Sequence, residues 1–105
     1  MKELPLDIMV MDISQNLARI GNWTADSFDE KKSLIERFLN QTSEYVENLS
    51  VRKIPKDLEN VFLRFKKEFV DFKIEEFAKN KDEWAEKALT WANILQHRAN
   101  RLKTS

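Results

Sequence analysis

Residues 58–72 read LENVFLRFKKEFVDF and place Leu58, Phe62, Phe65, Phe69 and Phe72 at alternating steps of four and three. That alternation is the period of one face of an α-helix, whereas a half-buried strand repeats every second residue. On a helix the interleaved Arg64, Lys66 and Lys67 fall on other faces, so the ring line is expected to be core rather than a platform for stacked bases. Working outward, the same spacing recurs in three further stretches. Leu6, Val10, Ile13, Leu17 and Ile20 form one; Phe28, Ile35, Phe38, Leu39, Thr42, Val46 and Leu49 another; Trp84, Ala88, Trp91, Leu95 and Leu102 the last. Each stretch is roughly twenty residues, the length of a bundle helix.

The junctions carry helix-boundary chemistry. Ser27 with Glu30, and Asn80 with Glu83, have capping-box spacing, in which a side-chain oxygen accepts an orphan N–H and the carboxylate reaches back. Pro55 suits the first turn of the third helix, and Asp57 and Glu59 complement its positive end. Gly21 is the expected terminator of the first helix. Helices are therefore expected at about 5–22, 28–49, 56–78 and 81–102. Short connections between them predict one all-α domain spanning residues 1–105, an antiparallel up-down-up-down four-helix bundle. Ala85, Ala92 and Ala99, one heptad apart on the fourth helix, would let a neighbouring helix approach closely.

Composition narrows the chemistry. With 105 residues the chain can bury a core without staples, and with no Cys it has neither disulfide nor thiolate chemistry. Its apolar runs are too short for a membrane span, and a cytoplasmic setting is expected. Asn-x-Ser/Thr triplets at Asn22, Asn40 and Asn48 are read as chance. His97 is the single histidine, which excludes a histidine-paired metal site or dyad within one chain. No Gly-rich phosphate loop is present, and no cofactor is expected.

One acidic pattern does invite an enzymatic reading: Glu44-x-x-Glu47, twenty residues, then Glu68-x-x-Asp71. It resembles the paired carboxylate motif of the all-α nucleotide pyrophosphohydrolases of the MazG type. The resemblance implies that Glu44, Glu47, Glu68 and Asp71 hold Mg²⁺, which clamps phosphates and activates water. Helical spacing, however, turns Glu44, Glu47 and Asp71 roughly 140–160° away from the core stripes, as on a solvated face.

Two further features point to binding. A second apolar line on the third helix, Leu63, Val70, Ile74 and Phe77, lies roughly 140–160° around from the first. Leu4, Ile8, Met11 and Ala18 form a comparable line on the first helix. Excess apolar faces of this kind mark an interface. Charge is also uneven, although the net is zero: residues 1–50 hold five Lys/Arg and nine Asp/Glu, residues 51–105 thirteen and nine. An up-down-up-down fold would gather Arg52, Lys53, Lys56, Arg98, Arg101 and Lys103 into a basic pole, opposite Asp26, Asp29, Glu30, Glu75, Glu76, Asp82 and Glu83. The expected function is thus non-enzymatic: a structural or protein-binding bundle that forms a homodimer or holds another protein through Leu4, Ile8, Met11, Leu63, Val70, Ile74 and Phe77. The alternatives are the metal-dependent pyrophosphohydrolase and a nucleic-acid-binding accessory protein using the basic pole.

Overall fold

The computed structural model describes residues 4–104, and those residues form four helices and no strand: α1 (Leu6–Ser50), α2 (Lys56–Phe69), α3 (Ile74–Lys79) and α4 (Lys81–Thr104). The first two sequence stretches are thus one element. Among its residues Ser27 alone has non-helical torsions, φ −155° and ψ 45°. A straight helix of 45 residues would reach about 67 Å at 1.5 Å per residue, yet the longest dimension of the molecule is 40 Å. The chain folds back at Ser27 into an N-terminal arm (6–26) and a C-terminal arm (28–50). Asn16 Nδ2 then donates to Gln41 Oε1 at 3.0 Å and Thr42 Oγ1 at 3.3 Å, and the Trp23 and Phe38 rings meet edge to face at 5.2 Å.

Gly21 does not end a helix, contrary to expectation. It lies buried inside the N-terminal arm with negative φ. A Cβ built on it would fall 2.7 Å from Leu89 Cγ and 3.1 Å from the Ala85 carbonyl oxygen. The missing side chain admits α4, and two turns away Ser14 Oγ donates to the Ala92 carbonyl at 2.7 Å.

The third predicted helix is interrupted. Instead of running from 56 to 78, α2 ends at Phe69 and α3 begins at Ile74. Between them the amides of Asp71 and Phe72 donate to the carbonyls of Glu68 and Phe69, and Lys73 takes an extended conformation. The physical cause is burial. A continuous helix would point the Phe62–Phe72 line and the Ile74–Phe77 line to different sides. With the break, Phe65, Phe69, Phe72, Ile74 and Phe77 all enter one core, where Phe72 meets Phe77 at 5.8 Å and Trp84 at 5.3 Å. Pro55 occupies the N-cap of α2, one residue earlier than expected, and its carbonyl accepts the amides of Leu58 and Glu59. Before α4, Asn80 Oδ1 accepts the Glu83 amide at 3.3 Å while Asn80 Nδ2 donates to Glu83 Oε2 at 2.8 Å. The carboxylate therefore reaches the cap's side chain, not its backbone.

Candidate functional site

The interface residues expected from sequence separate into two classes. Ile74 and Phe77 are core, 9% and 0% exposed, which corrects their assignment to an outer stripe on the third helix. Met11 is half-buried and packs against the core. Leu4, Ile8, Leu63 and Val70 remain exposed, at 42%, 45%, 55% and 65%. Val51, which fits no stripe because it follows the last turn of α1, is the most open of all at 85%. Its signal in the sequence was a lone apolar residue at a helix exit beside two basic ones.

Most of this exposed apolar surface surrounds Arg52. Its Nη1 donates to the Leu4 carbonyl at 2.8 Å and approaches Met9 Sδ at 3.9 Å, so the start of α1 is tied to the exit of its other arm. Ile8 lies one turn beyond Leu4 and shares a shallow depression of about 200 Å³ with Met11 and Lys103. On the other side, Arg52, Lys53, Leu63 and Lys66 line a groove of about 290 Å³ between the end of α1 and α2. The neighbouring cleft, also about 290 Å³, is formed by Pro55, Asp57, Leu58, Arg98, Arg101 and Leu102. There Arg98 Nη1 donates to the Asp57 carbonyl at 3.5 Å and Arg101 pairs with its carboxylate at 3.9 Å. With Lys56 opening α2, all six basic residues named from sequence lie at this end. Asp57 sits among them and offsets part of their charge. Val70, at the far end of α2, stands apart from this group.

Another cleft, of about 310 Å³, lies between α2 and α4. Trp91 Nε1 donates to Glu68 Oε1 at 3.3 Å, and the Arg64 guanidinium lies 5.9 Å from the Trp91 ring. Lys87 stands 4.3 Å from the Trp84 ring and 3.2 Å from Glu83 Oε1. Of these charges Lys87 and Glu83 pair with each other, while Arg64 and Glu68 both engage Trp91. The four carboxylates of the pyrophosphohydrolase pattern do not assemble either. Glu44 and Glu47 are exposed on the C-terminal arm, Glu68 is engaged by Trp91, and Asp71 is exposed in the turn after α2. Among the described residues no three His, Asp or Glu side chains are grouped to hold a metal ion. His97 is exposed on α4.

The buried polar side chains serve the fold. Ser14 bonds to Ala92, Asn16 to Gln41 and Thr42, and Thr24 back to the Ile20 carbonyl. Among the described residues, no buried side-chain nitrogen or oxygen is left without a partner. No helix among them is long and apolar enough to cross a membrane. Comparison of the chain with protein-family models, curated proteins and solved structures finds no match.

Proposed function

We propose that this chain is a non-enzymatic protein-interaction module, an up-down-up-down bundle that docks a partner at the pole around Arg52. The topology is supported by nested contacts. Leu4 with Arg52, Asn16 with Gln41 and Trp23 with Phe38 pair the two arms of α1 in opposite directions. Asp57 with Arg101, Phe65 with Trp91 and Phe72 with Trp84 do the same for α2 and α4. Adjacent elements joined in this way alternate in direction.

The observation that carries the functional reading is the coincidence of Leu4, Ile8 and Val51, all exposed, with Arg52, Lys53 and Lys103 at one end of the molecule. Apolar side chains in water favour burial, and surrounding cations select a partner whose matching surface is acidic. A nucleic-acid backbone would use the cations and leave the apolar residues uncovered, whereas an acidic amphipathic protein segment satisfies both.

The test is a titration of isotopically labelled protein with acidic amphipathic helical peptides, charge-reversed versions of them, and single- and double-stranded DNA. Backbone resonances of Ile8, Val51, Arg52 and Lys53 should move with the acidic peptides. Val51→Glu together with Ile8→Glu should remove that response while leaving the helical spectrum unchanged. Perturbations confined to Arg64, Lys87 and Trp91 would move the site to the α2–α4 cleft. A response to DNA alone would replace the proposed partner class.

A further inference from the structure

The reversal inside α1 has no loop. The arms 6–26 and 28–50 meet at Ser27, and residues 22–54 contain neither Gly nor Pro to oppose a helix through the corner. The apolar faces of the arms also share one phase. At ~100° per residue, Val10, Ile13, Leu17, Ile20 and Thr24 fall in a sector about 100° wide. If the helix ran straight through Ser27, Ile35, Leu39, Thr42, Val46 and Leu49 would fall in that same sector. A straight α1 would thus be one amphipathic helix with a single continuous stripe, all of it needing cover.

We propose that this chain exchanges its N-terminal arm with a second copy. Ser27 becomes helical, α1 extends, and each arm 6–26 seats against the C-terminal arm and α4 of the other chain. The exchange remakes the same contacts between chains: Ser14 with Ala92, Asn16 with Gln41 and Thr42, and Gly21 beneath Leu89. Since the closed and exchanged forms share these contacts, their balance rests on the hinge and on protein concentration. Short hinges without a loop of their own favour exchange, because the extended form leaves no corner to turn. The proposal is independent of docking at the Arg52 pole and would hold if that docking failed.

The experiment uses the absence of native cysteine in the full chain. Asn16→Cys and Gln41→Cys are introduced together, and the protein is refolded at low and at high concentration. Monomer and dimer fractions are separated, oxidised, and measured in denaturant without reductant. Exchange predicts a covalent single chain from the monomer fraction and a covalent pair from the dimer fraction. If the buried Asn16 site does not tolerate Cys, Leu4→Cys with Arg52→Cys, joined by a bismaleimide cross-linker that spans the reach of the lost arginine side chain, reports the same geometry at the surface, where Arg52 reaches the Leu4 carbonyl at 2.8 Å. Ser27→Ala raises helix preference at both hinges of a dimer and should increase the dimer-to-monomer ratio about five-fold. Inserting Gly-Ser-Gly after Ser27 should abolish the dimer. A dimer whose disulfides or cross-links close within each chain overturns the proposal, as does a Ser27→Ala chain that stays monomeric at every concentration.

Discussion

Helix α4 meets its neighbours through two unlike faces. Toward the N-terminal arm of α1 it presents Ala85, Leu89 and Ala92, and the approach is close enough for a serine hydroxyl to reach a main-chain carbonyl. Toward α2 and α3 it presents Trp84 and Trp91, which meet Phe65, Phe72 and Phe77 at centroid distances of 5.3 to 5.5 Å. On one face small residues let backbones touch; on the other, rings fill the space between axes. The two seams should therefore fail in opposite ways. The aromatic layer is sensitive to atoms removed, and the small-residue seam to atoms added.

The largest effect is expected in the aromatic layer. Phe65 and Phe77 are both 0% exposed, and replacing either with Ala should cost about 3–5 kcal/mol in denaturant unfolding. A loss below about 1 kcal/mol would mean that the layer closes over the gap, and the contrast between seams would weaken.

The border of that layer gives the next effect. Ile74 and Val70 would lie on one side of an uninterrupted helix, but the turn buries Ile74 at 9% and leaves Val70 at 65% exposure. Ile74→Lys should destabilise the protein by about 2–4 kcal/mol, whereas Val70→Glu should stay within about 0.5 kcal/mol. Equal effects from thermal melts of the two variants would restore the continuous third helix and remove the turn at 70–73.

The smallest effect sharpens the other seam. Gly21→Ala gains about 1 kcal/mol of helix preference and loses about 1–3 kcal/mol to overpacking, because the new Cβ would lie 2.7 Å from Leu89 Cγ. A net loss of about 1 kcal/mol is expected. In a Leu89→Ala background that loss should shrink, leaving the part due to the Ala85 carbonyl 3.1 Å from the new Cβ. If Gly21→Ala costs the same with and without Leu89, the Leu89 side chain does not explain the glycine, and the approach of the Ala85 main chain does.

These contrasts also mark how far residue order carried the fold. Helical class followed from the three-four spacing, and the core identities of Ile13, Leu17, Ile35, Phe65 and Leu95 followed with it, because burial of one face is a local periodic property. Lys and Arg near helix ends were readable in the same local way. The turn at 70–73 was not, for it contains no Gly or Pro. It exists because breaking the helix buries Phe72, Ile74 and Phe77 together, a gain that depends on Trp84 being there to receive them. Gly21 carries the same lesson: its local preference is to end a helix, but a neighbouring helix far along the chain, at Ala85 and Leu89, claims its empty side.

By itself the sequence determined most of the residues that seek a core, Ile74 and Phe77 excepted, and the helical period of four stretches, because both depend on spacing within a single turn or two. It also determined which charges gather near helix ends. Only the tertiary structure decided that the first two stretches form one element bent at Ser27, that the third is cut in two, and that Val51 joins Leu4 and Ile8 around Arg52. Those outcomes depend on contacts between residues far apart in the chain. The free energy of such contacts is set by what lies opposite, and no local pattern records it.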